Sequence, residues 1–365
     1  MSPFANHALA YRAKLNVEPI EQGGFLVGRP QIDTVFKGMR MRAVGSTIYS
    51  RPFGETFHQF LIWHLMQYLD AKWVDTELGK DADERSLLAD WVNQYKETSR
   101  KMDETKPTEI IHAVPQDANL RHLLSLAYDF YSLAHCNAKI LPKLINRLKK
   151  RGQFQGARFE IAVGGIVARA GFEIQWVNES GKHCEFVGVH RVTKDKAAFE
   201  AKSHHRAGVL GQPGDFDVES TKTKIWDHVR EALEQSSKDT PLVIFDDLNL
   251  PITSDLAMQE KAWFKEINDT LEDVGFFDKQ DRKNYSALFI TNFSWHFHSD
   301  LSEIRNRSSE ALSFFTANGP FSLKMQTLQL LQASAEQYGS IPPRSDELAA
   351  ITAEIEHAKK HAQSR

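Results

Sequence analysis

The sequence predicts an α/β fold: a mixed central sheet flanked by helices, joined to a mainly helical N-terminal region. Three observations predict it. Residues 155–170 read as a helix rich in small residues, and three strand-like runs separated by short turns follow it. An amphipathic helix and a short buried strand come next, the order expected of a crossover that returns to the same sheet. Before residue 150, apolar positions recur at helical spacing in four segments. The expected division is a helical N-terminal domain over 1–150, an α/β domain over 151–320 and a helical C-terminal tail over 321–365.

Composition sets the outer limits. The chain has 365 residues, 41% of them hydrophobic and 25% charged, enough for a substantial core. Its formal net charge of −3 argues against wholesale electrostatic binding to nucleic acid, so any such binding must come from a local basic face. Cys136 and Cys184 stand far apart without metal-ligand spacing, which suits a reducing cytoplasm and excludes a cysteine-rich zinc site. No apolar run approaches the ~20 residues of a membrane span, so no membrane partner is expected.

Taken in order, residues 1–30 show no period and read as an irregular arm. From Gly38 to Ser50, Met39, Met41 and Ala43 alternate with Arg40 and Arg42, which predicts a hairpin turning near Gly45. Phe57, Phe60, Leu61, Leu65, Tyr68 and Leu69 make one helical stripe. Leu87, Leu88, Trp91, Val92 and Tyr95 make a second, in a helix expected from about Glu84. The polar, proline-bounded stretch from Lys101 to Pro115 reads as a loop. Leu120, Leu123, Leu124, Ala127 and Tyr131 mark a third helix and Leu141 to Leu148 a fourth. These aromatic stripes have core spacing rather than the look of a base-stacking surface. Lys143, Arg147, Lys149, Lys150, Arg151 and Arg158 gather positive charge. They are either phosphate contacts or a solvated helix end whose cations complement the dipole.

In the helix over 155–170, Phe159, Val163, Ile166 and Val167 are expected to face inward and Gly171 to stop the helix. Glu160 lies close to that stripe. A carboxylate there needs a cation or donor if it is buried, though exposure beside Arg158 would account for it equally simply. Phe172 to Val177 alternates as a strand, Glu179 to Lys182 turns, Glu185 to Val192 forms the next strand, and Thr193 to Lys196 turns again. Gly208, Gly211 and Gly214 mark a loop without the spacing of a nucleotide-binding cradle. Ser220 to Gln235 is an amphipathic helix with Ile225, Val229 and Leu233 inward. Pro241 to Phe245 is a buried strand, with Asp246 and Asp247 read as the start of a turn. A helix over Gln259 to Val274 and a last strand, Ala287 to Phe293, follow. Residues 345–365 carry a thin stripe, Leu348, Ile351 and Ile355, that fits a docking or self-association helix.

The chemistry concentrates on the strand carrying Glu200 and Lys202. Alternation sends these two side chains to one face and Phe199 and Ala201 to the other. With Glu185 on the neighbouring antiparallel strand, a carboxylate pair and an ammonium converge on a pocket able to hold a divalent ion. The same Glu-x-Lys also occurs as a plain surface ion pair. His183, His204, His205 and Arg206 crowd the strand ends and are either phosphate contacts or exposed side chains.

A helix with Glu160, a strand, Glu185, a strand with Glu200-Ala201-Lys202, then helix and strand resembles the core of the PD-(D/E)xK, or restriction-endonuclease-like, nuclease superfamily over about residues 151–295. Cys184-Glu185 stands where the family has Pro-Asp, and the longer Glu can still reach a metal. The glutamine-tyrosine signature that follows the lysine in some exonuclease branches is absent. The resemblance implies a Mg²⁺- or Mn²⁺-dependent endonuclease of defence or repair. Glu185, Glu200 and the Ala201 carbonyl would be metal ligands, Lys202 would assist the attacking water, and Glu160 would serve a second ion. Lys149, Lys150, Arg151, Arg158, His204 and Arg206 are the expected nucleic-acid contacts, with DNA the expected substrate and RNA left open. The alternative is a nuclease fold without turnover, acting as a nucleic-acid-binding or scaffold module. Self-association or a protein partner through the helical regions remains open as well.

Overall fold

The computed structural model of the chain describes residues 32–105, 117–178, 183–206, 208–211, 222–235, 239–250, 257–274, 285–293, 296, 310–315 and 321–341. The expected arm over 1–30, the turn over 179–182 and the helix over 345–365 lie outside these residues.

The hairpin expected at Gly45 is present and gains a strand: β1 (Ile32–Phe36), β2 (Met39–Val44) and β3 (Thr47–Pro52) form an antiparallel sheet. Gly45 turns at φ +58°, and a Cβ there would stand 2.5 Å from the Ala134 carbonyl and the Asn137 side chain. Only glycine permits that approach. Helix α1 (Phe57–Met66) starts on a capping box: Thr56 accepts from the Gln59 amide, and the Gln59 side chain accepts from the Thr56 amide. Helix α2 (Ala71–Leu78), begun by Asp70, is an element the apolar pattern does not announce. Helix α3 (Leu87–Thr105) runs five residues into the stretch expected as loop. Helix α4 (Ala118–His135) is capped by Asp117, and α5 (Pro142–Leu148) has proline in its first turn.

Helix α6 (Phe154–Arg169) is buried on nearly every side rather than along one stripe. Its small residues allow this. A Cβ on Gly165 would run into the Asp129 carboxylate of α4, and one on Gly164 would press on Leu133 and Trp176 at 3.2 Å. Gly171, at φ +100°, ends the helix and turns the chain into the sheet. Strands β4 (Phe172–Trp176), β5 (Phe186–His190) and β6 (Lys196–Ser203) form the antiparallel meander. The middle strand ends earlier than expected, leaving Val192 exposed in the turn.

After β6, helix α7 (Ile225–Gln235) crosses over to β7 (Leu242–Asp247), which pairs parallel with β6. Helix α8 (Ala262–Asp273) crosses to β8 (Tyr285–Asn292), parallel with β7. The unforeseen β9 (Glu310–Phe315) closes the sheet antiparallel to β8, and helix α9 (Met325–Glu336) follows. The fold is thus mixed α/β, a six-stranded mixed sheet in the order β4-β5-β6-β7-β8-β9 flanked by helices. One sheet face, through Phe199, Phe245 and Phe289, joins α6, α9 and the N-terminal helices in a continuous core; the other, through Ala198, Leu242 and Ile244, packs on α7 and α8. Among the described residues no helix is long and apolar enough to cross a membrane.

His64 makes the N-terminal core pH-sensitive. Its ring packs among Tyr49, Phe60, Tyr68 and Tyr131, and burial pushes its pKa from 6.5 down to about 4. The unfolded chain therefore takes up a proton below pH 6.5 that the folded chain refuses until about pH 4. The stabilisation is complete above pH 6.5 and is lost as pH falls through that window. Between about pH 7.5 and pH 5, wild type should lose about 2 kcal/mol more than His64→Phe in paired urea melts. Equal losses would remove His64 from the acid response.

Candidate metal centre

The antiparallel register of β5 with β6 ends at the Phe186–Phe199 pair, and Glu185 stands one residue before β5, close enough to Glu200 to feel its charge. The Glu185 amide donates to the Phe199 carbonyl at 3.0 Å and fixes the chain there. Helix α6 brings Glu160 to the same end of the sheet, within side-chain hydrogen-bonding reach of Glu185. Glu160, Glu185, Glu200 and Lys202 thus lie at the same end of the sheet, although the three carboxylates do not each bring an oxygen within 4.8 Å of the other two.

The four groups are not a surface cluster. Glu200 is 2% exposed and Lys202 14%, with Nζ 3.2 Å from Glu200 Oε1, so a solvent-exposed ion pair does not describe them. Lys202 also donates to Gln235 Oε1 at 3.2 Å and lies 3.6 Å from Glu231 Oε2, both on α7. Glu160 is buried and clamped by Arg147, whose Nη1 lies 2.7 and 2.8 Å from its two oxygens. Arg147 is thus the cation that a buried Glu160 requires, rather than a free member of the basic run.

Burial dominates the electrostatics. It pushes Glu160 up to about 7, the Glu185 charge adding to the shift and Arg147 opposing it. Burial and then the Glu200 charge raise Glu185, against Arg147. Burial also pushes Glu200 up to about 7, against Lys202. The Cys184 thiol, buried beside Glu200, rises to about 11 and stays protonated. Closely spaced carboxylates in a water-poor site cannot all hold their charge without a further cation. Glu200 Oε2 is buried with no hydrogen-bond partner among the described residues. The oxygen donors and this orphaned atom suit a hard divalent ion in chemical kind, but the three carboxylates are not drawn together as a closed coordination shell in the metal-free chain.

The expected phosphate contacts separate into distinct groups. Lys150 is exposed; Lys149 is half-buried, with Nζ 4.9 Å from the centre of the Trp73 ring. Arg151 Nη2 donates to the Arg85 and Ala82 carbonyls at 2.9 and 3.2 Å, tying the turn before α6 to the loop before α3. Arg206 Nε donates to the Leu248 carbonyl at 3.0 Å. Arg158 leaves the phosphate-contact set: it is 2% exposed and bound to Asp129 at 2.8 Å, because its helix is enclosed on all sides. His204 is buried too, whereas His205 is exposed; a Cβ on Gly156 would stand 3.2 Å from both His205 Nε2 and Arg147 Nη2.

Asp246 and Asp247 do not begin a turn. They are the last residues of β7, buried and pointing to opposite faces of the sheet. Asp247 accepts from Thr291 Oγ1 at 2.9 Å, and burial pushes its carboxyl up to about 8. Asp246 meets His228 Nδ1 at 2.9 Å and His204 Nε2 at 3.6 Å. Sequence reasoning missed His228 because only the inward stripe of α7 was legible. A polar residue one position before Val229 carries no signal until β7 is docked beside it. The chain matches no protein-family model, no curated protein and no solved structure.

Proposed function

We propose that this chain is a metal-dependent nuclease that hydrolyses phosphodiester bonds, a DNA endonuclease of defence or repair on a restriction-endonuclease-like core. The observation that carries the reading is the meeting of Glu160, Glu185, Glu200 and Lys202 at one end of β5 and β6. Support also comes from the order of elements: a buried helix, an antiparallel meander, a crossover helix and a strand parallel to the third of the meander.

Glu185 and Glu200, with the Ala201 carbonyl, would hold Mg²⁺ or Mn²⁺, and Glu160 would serve a second ion. When bound, the ion supplies Lewis acidity at the scissile phosphate and a water of lowered pKa. The chain supplies the rest. Lys202, held by Glu200 and Gln235, sets a positive charge where the nucleophile and the developing phosphate charge need it. Arg147 holds Glu160 in place at the α6 end of the site. Lys143, Lys150 and His205 are exposed and, with the half-buried Lys149, would give a rim for the nucleic-acid backbone.

Metal binding tests the ligand assignment. Calorimetry on EDTA-treated protein should show Mn²⁺ binding by wild type, lost when Glu185→Gln and Glu200→Gln are combined. Unchanged binding would remove both residues from the site. The rim has its own readout. Lys149→Ala with Lys150→Ala should weaken DNA binding and make the slope of log K against log salt shallower by about 1 to 2. An unchanged slope would return these lysines to the role of a solvated helix end.

A second reading, a nuclease fold that binds nucleic acid without cutting it, is favoured by the engagement of Lys202 with Glu200, Gln235 and Glu231. DNA binding by wild type with no cleavage in either metal would select it.

A further inference from the structure

We propose that His204, His228 and Asp246 form a binding site for a transition-metal ion of the zinc class, separate from the carboxylate centre, that locks α7 onto the ends of β6 and β7. The three residues come from three places in the chain: the residue after β6, the face of α7 and the fifth residue of β7. One ligand atom from each lies within 4.8 Å of the other two, and among the described residues no other such group is found.

The spacing suits tetrahedral coordination. Ligands about 2.0–2.1 Å from zinc stand about 3.3 Å apart. Here His204 Nε2 to Asp246 Oδ1 is 3.6 Å and His228 Nδ1 to Asp246 Oδ2 is 2.9 Å, near that value though each imidazole faces a different oxygen of the carboxylate. The His204 and His228 rings are 4.3 Å apart. The first pair is the informative one. At 3.6 Å it is too long for a hydrogen bond, and among the described residues neither His204 Nε2 nor Asp246 Oδ1 has another hydrogen-bond partner although both are buried. Two orphaned polar atoms facing each other in the interior call for something between them.

Two imidazoles and one carboxylate form a borderline donor set that favours zinc, cobalt or manganese over magnesium. In the metal-free chain His228 Nδ1 and Asp246 Oδ2 are in hydrogen-bond contact at 2.9 Å, so an ion would take the place of the proton between them. His204 is held by its own backbone: its amide donates to the Asp247 carbonyl at 3.1 Å, and Asn249 Nδ2 donates to its carbonyl at 2.7 Å. Lys202, Arg206, Lys224 and His205 bring positive charge toward the group, and Glu231 opposes them. These cations work against a dication, so the expected ligand is an exchangeable ion removable by EDTA. Its position gives it a consequence. His228, Glu231 and Gln235 follow one another along α7, and the latter two hold Lys202. An ion on His228 fixes the helix that orients that lysine.

The test uses full-length, EDTA-treated chain titrated with Zn²⁺ in a large excess of Mg²⁺, with melting curves run alongside. His228 is one-fifth exposed, but its Nδ1 is the partner of the fully buried Asp246, so the metal-free melting curve of His228→Ala establishes that the variant is folded before its zinc binding is read. Wild type should take up one Zn²⁺ per chain and melt at higher temperature with it. His228→Ala should bind at least tenfold more weakly and show no such rise, whereas the combined Glu185→Gln and Glu200→Gln variant should bind zinc as wild type does. Equal zinc binding by wild type and His228→Ala, or none by wild type, overturns the proposal. Loss of zinc binding in the glutamine variant assigns the ion to the carboxylates and overturns it as well. None of these outcomes depends on whether the chain cleaves nucleic acid.

Discussion

Asp129→Ala is expected to destabilise the fold by roughly 3–5 kcal/mol. Asp129 lies on α4, and its two oxygens separately accept from Arg158 Nη1 and Arg169 Nη1, each at 2.8 Å; Tyr338 Oη lies 3.3 Å from Oδ2. The carboxylate is 1% exposed and the two guanidiniums 2% and 7%. Removing it strands two cations where water cannot reach them, and unlike carboxylates or imidazoles, arginines do not escape by losing a proton. The loss is a large share of the 5–15 kcal/mol that holds an ordinary domain together. Glu104→Ala, which breaks an ion pair with Arg100 exposed by more than half on both sides, should leave the melting temperature unchanged. Equal melting of the two variants would contradict this account of the core.

Lys202→Ala is expected to lower metal-dependent cleavage by about 10²–10³-fold while metal affinity stays close to wild type. The lysine acts on charge that appears in the transition state, so its loss shows in turnover rather than in binding. The fold should tolerate the change. Glu200 already sits near the point of protonation, at about 7, and in the metal-free chain can become neutral once its partner is gone, while a bound ion would take the lysine's place as its counter-charge. A lysine with only a structural role would behave in the opposite way, with a fall in melting temperature and undiminished cleavage per folded molecule.

The difference between what was legible and what was not follows from distance along the chain. Strand alternation and the small-residue helix fix local geometry, so the meander and the shared face of Glu200 and Lys202 could be read directly. The crossover through α7 to β7 could be read too, because an amphipathic stripe followed by a short apolar run leaves little choice of topology. The partners of charged residues could not. Arg147 and Arg158 belong to one basic run, yet Arg147 clamps Glu160 thirteen residues away while Arg158 is buried against Asp129 twenty-nine residues away. Whether a cation meets solvent or a carboxylate depends on packing around α6, which local pattern does not encode. Asp246 read as a turn former because Asp commonly ends strands, and burial against His228 reversed that preference.

Cleavage itself tests the central claim most directly. Supercoiled plasmid and single-stranded DNA are incubated with wild type and with the combined Glu185→Gln and Glu200→Gln variant, in Mg²⁺, in Mn²⁺ and in EDTA. Wild type should nick the DNA in either metal and not in EDTA, and the variant should be inactive under every condition. Wild type that leaves all substrates intact in both metals, or cleavage that persists in the variant, would contradict the assignment of hydrolysis to this carboxylate centre.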